Sequence, residues 1–304
     1  MKILITGAQG FVGSYISNQL IKTDHEIFAP KRSEMDCSDL QSVKNIISSI
    51  NPDIIFHTAA FILPTDEMPG RHKEILENNK EINSNILGVA ASDDVMNVVC
   101  FGSHTMYSPG IPKKEVNIFE GESPSFISGY SESKRLLLKE CESYSHDGLN
   151  YKMLILPSIY GPFPLQFSPK QMLNSIIVRA MDLKKNNQKF LDVRGDTMAL
   201  KEYIFLPDLW TWLYKNLDLL KKIPPALNLG TQSTLPILEY YNICSRLLDI
   251  ELSFDKKITP KSNEKVFDYA LDSSLAFNFG WGATTPIEEG IMQTISYIEG
   301  KYGI

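Results

Sequence analysis

Short apolar runs alternate along the chain with longer stretches in which apolar residues recur every three or four positions. Residues 3–5, 25–29, 54–57 and 97–101 each predict a short buried strand. Residues 15–21, 40–50 and about 74–92 carry helical periodicity, and Asn51-Pro52-Asp53 breaks the second of these helices before the next strand. This alternation demands an α/β fold with a parallel, doubly wound sheet, and no internal repeat or low-complexity segment interrupts it. Ligands of such sheets gather at the carboxyl ends of the strands, where Gly7, Ala59 and Gly102-Ser103 fall.

The first strand runs into Thr6-Gly7-Ala8-Gln9-Gly10-Phe11-Val12-Gly13 and then a helix. Gly7 permits a tight turn, Gly10 lets the backbone approach a phosphate, and Gly13 lets the new helix pack on its strand. With Phe11 and Val12 these residues form a helix N-terminus whose free N–H groups and partial positive charge suit a dinucleotide's pyrophosphate. The second strand ends in Pro30-Lys31-Arg32-Ser33, with no acid before Glu34. Lys31 and Arg32 at the place of a 2′-phosphate favour NADP(H), with NAD(H) as the other option. Small residues at Ala59 and Ala60 would let the backbone approach the same ligand, and residues 62–73, containing Pro64, Pro69 and Gly70, predict a loop over the site.

Composition narrows the field. With 304 residues the chain can bury a large core in one large or two modest domains, and 43% hydrophobic with 22% charged residues is ordinary for a soluble protein. A net charge of -6 argues against nucleic acid and anionic membranes as partners, so a phosphate-bearing ligand needs local basic residues. The amino-terminal apolar stretch is too short for a signal sequence and no run reaches membrane-spanning length, which predicts a cytoplasmic protein. Cys37, Cys100, Cys141 and Cys244 are scattered without a Cys-x-x-Cys pair and the five histidines are dispersed, so neither a metal site nor a disulfide framework is expected.

Tyr130-Ser131-Glu132-Ser133-Lys134 begins a helix over about 130–144, and the four-residue spacing stacks Tyr130 and Lys134 on one face. A tyrosine with a pKa of about 10 is a poor base near neutrality, so a neighbouring ammonium is expected to favour the phenolate, at roughly 1.4 kcal/mol per unit of lowering. The segment Phe101-Gly102-Ser103-His104-Thr105-Met106-Tyr107 precedes this pair.

Taken together, Gly-x-x-Gly-x-x-Gly after Thr6, a serine four residues before a tyrosine, and Tyr-x-x-x-Lys resemble the extended short-chain dehydrogenase/reductase family, in its nucleotide-sugar-modifying branch. The resemblance implies a Rossmann domain over 1–162, completed by about 203–231, with a smaller C-terminal α/β substrate-binding domain over 163–202 and 232–304. It implies Ser103, Tyr130 and Lys134 as the catalytic residues, with Lys134 also gripping the nicotinamide ribose. Asp36-Cys37 resembles the segment that meets the adenine edge. Residues 154–162 resemble the segment beside the nicotinamide, with Pro157 and Ile159 as cofactor contacts and Ser158, in place of the usual Asn, as a substrate contact. Lys201 stands for the usual Arg of the return strand, and Arg179 joins it as a candidate for the diphosphate. Homodimerisation through helices 74–92 and 130–144 is implied by the resemblance alone.

Within that branch the chain most resembles the GDP-fucose synthase and dTDP-4-dehydrorhamnose reductase subfamilies. His104 and Thr105, also candidate substrate contacts, replace the Asp-Glu pair of the dehydratases, which argues against a 4,6-dehydratase. Thr105 and Gln171 replace the cysteine and histidine that epimerise in GDP-fucose synthases, so reduction without that epimerisation is expected. His104 could substitute as an acid or serve as a hydrogen-bonded structural residue. The expected function is therefore NADPH-dependent reduction of a nucleotide-diphosphate-linked 4-keto(-6-deoxy) sugar, with Tyr130 as proton donor. The alternatives are an NAD-dependent 4-epimerase and a non-catalytic NADP-binding regulator.

Overall fold

The computed structural model describes residues 1–63, 67–254 and 269–303. Pro64 of the expected loop, and 255–268 and 304 of the expected substrate domain, lie outside the described residues. In chain order come β1 (Lys2–Thr6), α1 (Phe11–Leu20), β2 (Glu26–Phe28), α2 (Leu40–Ile50), β3 (Ile54–His57), α3 (His72–Ser92), β4 (Asn97–Ser103), α4 (Ser128–His146) and β5 (Asn150–Leu156). Then follow β6 (Ser158–Tyr160), α5 (Met172–Lys185), β7 (Phe190–Val193), β8 (Leu200–Lys201), β9 (Tyr203–Phe205), α6 (Leu206–Lys215), β10 (Ala226–Asn228), β11 (Leu235–Pro236), α7 (Ile237–Leu248), β12 (Glu251–Phe254), α8 (Ser274–Phe277) and α9 (Ile287–Tyr302).

Two compact units result: Met1–Leu156, Trp212–Leu229 and Asp272–Trp281 form the first, and Pro157–Thr211, Gly230–Leu271 and Gly282–Ile304 the second. The chain thus leaves the first unit after Leu156 and not at 162. Residues 272–281, expected in the other domain, join the first. Trp212 explains the latter: its Nε1 donates to the Phe279 carbonyl at 2.8 Å, and its ring meets Trp281 edge-on at 5.9 Å.

The first unit is built on a six-stranded, wholly parallel sheet in the order β10-β5-β4-β3-β1-β2. Strands covered on both faces need continuous apolar side chains, and β1 and β3 have them; burying Ile3, Leu4 and Ile5 completely stabilises the fold by about 2 kcal/mol each. Asp39 caps α2 by accepting from the Gln41 N–H at 2.9 Å, and Asn51 ends it in the left-handed region. α4 packs on β4 and β5, and α3 lies against α4. The chain leaves β1 for β2 on one side and returns for β3 on the other, so the switch point lies between the ends of β1 and β3.

In the second unit β6 pairs with β9 and β7 with β12 in parallel, β8 pairs antiparallel with β11, and α5, α7 and α9 pack together. The buried Glu202 carboxylate ties its segments, accepting from the backbone N–H groups of Thr231 (2.6 Å), Gln232 (3.0 Å) and Leu271 (2.8 Å). Among the described residues no helix is long and apolar enough to cross a membrane.

Candidate active site

At the switch point Gly7 has φ +66°, and a Cβ on it would lie 2.6 Å from the Ala59 nitrogen. A Cβ on Gly13 would overlap the Gly7 carbonyl oxygen and the Thr58 hydroxyl, so only glycine lets α1 sit this close to the turn. No side chain caps α1 at Gly10, and a helix N-terminus of this kind is a natural place for an anion. Beside this turn lies a cavity of about 250 Å³. Gly7, Gly10, Arg32, Asp36, Cys37, Ala59 and Ala60 line it, together with Gln9, Ser38, Phe61 and Asn78. Phe11, Val12 and Gly13 open α1 outside that lining. Lys31 is also outside it; the residue is exposed and its N–H donates to the Glu34 carboxylate at 2.7 Å. A positive-φ turn, an uncapped helix end and an adjoining cavity fit a bound dinucleotide.

The charges at the end of β2 are already arranged. Asp36 accepts from the Ser38 hydroxyl (2.7 Å) and N–H (3.0 Å) through one oxygen and from Arg32 Nε (3.3 Å) through the other. The Ser38 bonds first, and Arg32 after them, hold its carboxyl below the usual range. Arg32 remains exposed, with donors left over. Cys37 is half-buried, and burial pushes its thiol up to about 11.

Beneath the turn runs a buried polar chain. The Thr6 hydroxyl lies 2.8 Å from His57 Nδ1 and accepts from the Ala59 N–H at 3.3 Å, while His57 Nε2 lies 3.0 Å from Asn83 Oδ1. Asn83 Oδ1 can only accept, so the imidazole carries its proton on Nε2 and accepts from Thr6 on Nδ1. Burial, and then the charge of Lys134, lower its pKa to about 4, and the ring is neutral at neutral pH. One turn earlier on α3, Asn79 accepts from the Phe61 N–H (2.8 Å) and donates to the Phe61 carbonyl (2.7 Å). It thereby fixes the segment that follows β3.

β4 extends to Ser103, its last residue, beyond the expected end at 101. A turn of 3-10 helix, His104–Met106, follows, and both the N–H (3.3 Å) and the hydroxyl (3.0 Å) of Thr105 donate to Ser103 Oγ. Arg135 on α4 holds this turn by donating from Nε to the Met106 carbonyl at 2.7 Å and from Nη1 to the Gly121 carbonyl at 3.0 Å. Tyr107 holds it from the other side by donating to Asn228 Oδ1 at 2.7 Å. Lys134 is buried, with Nζ 5.6 Å from the centroid of the Tyr130 ring. Burial lowers Lys134 from 10.5 to about 8, and the thiols of Cys100 and Cys141 pull the other way. Those two cysteines, far apart in sequence, meet with their sulfurs 3.8 Å apart. Burial pushes Tyr130 up to about 12. The expected lowering by the ammonium is not found: desolvation raises the phenol, and Tyr130 is protonated at neutral pH.

Pro157, Ser158, Ile159, Arg179 and Lys201 belong to the second unit. Ser158 and Ile159 lie on β6, and the Ser158 N–H donates to the Glu202 carbonyl at 3.2 Å. Arg179 donates to the Asp192 carbonyl (3.0 Å) and the Tyr241 hydroxyl (2.9 Å). Lys201 pairs with Leu235 in the β8–β11 ladder, and its carbonyl accepts from the Tyr240 hydroxyl at 2.7 Å.

Residues 3–230 match the NAD dependent epimerase/dehydratase family, three quarters of the chain. The chain belongs to that family. Like the other members of its extended short-chain dehydrogenase/reductase type, it is an NAD(P)-dependent enzyme. It is 27% identical to a GDP-L-fucose synthase of Azorhizobium caulinodans, over 97% of this chain and 96% of that one. It is 25% identical to a GDP-L-colitose synthase of Yersinia pseudotuberculosis, over 98% and 97%. A GDP-mannoheptose C4 reductase from Campylobacter jejuni, solved with NADP bound, superposes with a TM-score of 0.85 at 22% identity, covering 98% of both chains, which is a likeness of fold.

Thr6, His57, Asn79, Asn83 and Arg135 were not singled out from sequence. Asn79 and Asn83 had a readable signal, since two amides four residues apart sit in the apolar stripe of α3 with Ile75, Ile86 and Leu87. Such residues need partners inside the fold. Arg135 had none, because a cation on an amphipathic helix is usually solvated.

Proposed function

We propose that the protein is an NADPH-dependent reductase of a nucleotide-diphosphate-linked 4-keto-6-deoxy sugar. The observation that carries this reading is the state of the rim: a buried, cationic Lys134 stands beside Tyr130, whose phenol burial keeps protonated and so poised to give a proton. In this reading Gly7, Gly10, Ala59 and Ala60 hold the dinucleotide and Arg32 holds its 2′-phosphate, since Asp36 has both oxygens engaged and Arg32 does not have all its donors engaged. A bound nicotinamide supplies the hydride. Ser103 orients the keto oxygen, Tyr130 protonates it, and the charge of Lys134 stabilises the phenolate that results. Arg179 and Lys201 are the cations assigned to the diphosphate, and the protein acts as a homodimer through α3 and α4, which sedimentation tests. The GDP-sugar names of the relatives support this substrate class.

The test is direct. Purified protein is mixed with NADPH and a GDP-linked 4-keto-6-deoxyhexose, and NADPH loss is compared with product formed. One NADPH consumed per sugar reduced is the expected result. Redox-neutral interconversion of a GDP-hexose by protein that retains NAD would establish the 4-epimerase in its place.

A further inference from the structure

Ser103 Oγ offers two lone pairs and one proton. Thr105 directs two donors at it, the backbone N–H at 3.3 Å and the side-chain hydroxyl at 3.0 Å. With both lone pairs engaged from within the turn, the Ser103 hydroxyl has only its proton left to offer. Thr105 cannot easily swing away: it is 8% exposed, and the turn is fastened by Arg135 to the Met106 carbonyl and by Tyr107 to Asn228.

The geometry points to Thr105 as a positioning residue that commits the Ser103 hydroxyl to donating, and not as a contact for substrate. This rests on the reading that Ser103 meets the keto oxygen. There, a serine free to accept would compete for the proton that Tyr130 supplies. A serine whose lone pairs are taken adds a second donor at the oxygen on which negative charge develops. Thr105 acts wholly through Ser103, so its contribution must vanish when that hydroxyl is gone.

A double-mutant cycle separates this from a structural role. Turnover of NADPH with a GDP-linked 4-keto-6-deoxyhexose is measured for the native protein, Thr105→Val, Thr105→Ser, Ser103→Ala and Ser103→Ala/Thr105→Val, with folding followed by thermal unfolding. Thr105→Val is expected to lower kcat about tenfold with KM and NADPH affinity nearly unchanged, while Thr105→Ser stays within about threefold of the native rate. On the Ser103→Ala background Thr105→Val should add nothing. Losses that multiply in the double variant, or a Thr105→Ser variant as slow as Thr105→Val, overturn the inference. If Thr105→Val fails to fold, Thr105→Ala takes its place in the same cycle. A native protein that consumes no NADPH overturns the substrate reading itself; multiplicative losses in an active enzyme overturn only the role of Thr105.

Discussion

Around the glycine turn of the first unit, polar side chains find their partners in backbone or in buried neighbours: Thr6 with His57, His57 with Asn83, Asn79 with both backbone groups of Phe61. Arg179 of the second unit lends two donors to Asp192 and Tyr241 while its buried Nε makes no hydrogen bond. The first arrangement is complete before any ligand arrives. The second engages two of the five guanidinium N–H donors of Arg179 and keeps the others open to exchange with an anion. A preorganised rim suits chemistry, where transition-state charge is stabilised without reorganisation, whereas exchangeable cations suit recognition, where affinity is adjusted one side chain at a time.

Breaking the first region should have the largest effect. Tyr130→Phe is expected to lower kcat by about 10²–10⁴-fold while NADPH still raises the melting temperature, and preserved turnover would refute the assigned role. In the native enzyme the rate should fall as pH rises through about 8, where Lys134 loses its proton, because Tyr130 stays protonated up to about 12. A pH profile flat to pH 10 would contradict this assignment.

Stability should report the buried chain next. The folded-state pKa of His57 is depressed from 6.5 to about 4, so between those values the unfolded chain takes up a proton that the folded protein refuses. The contribution is complete above pH 6.5, and about 3 kcal/mol is lost as pH falls to 4. Denaturant titrations should show that His57→Gln flattens this window; an unchanged pH dependence would remove His57 as its source.

Smaller effects belong to the cations. Arg179→Gln should raise KM for the nucleotide sugar about tenfold, one charge-assisted hydrogen bond, without altering NADPH affinity. A change in kcat alone would place Arg179 outside recognition. Arg32→Ala should weaken NADPH several-fold, roughly 1 kcal/mol for an exposed charge, and leave NADH untouched, read by fluorescence titration. Equal weakening of both cofactors would mean that Arg32 acts on the cavity's shape.

Much of this was legible in the chain. The apolar runs locate β1, β3 and β4, and the helix over 40–50 is found where the periodicity puts it, because parallel strands and amphipathic helices write their burial locally. The outer boundary of the first unit was not legible. Trp212 and Trp281 are 69 residues apart, and nothing in either neighbourhood announces their contact. The same holds for Cys100 and Cys141, which look scattered yet touch beside Lys134.

The sequence by itself determined which residue types stand after β1, at the end of β4 and at the start of α4: a turn that requires glycine, a hydroxyl at 103, a phenol and an amine four residues apart. These follow from spacing and local geometry. Only the tertiary structure decided their protonation and direction. Desolvation keeps Tyr130 neutral, a buried amide selects the tautomer of His57, and Thr105 takes the lone pairs of Ser103. Each of these depends on how much water is removed and which partner is within about 3 Å, and neither quantity exists until distant segments pack.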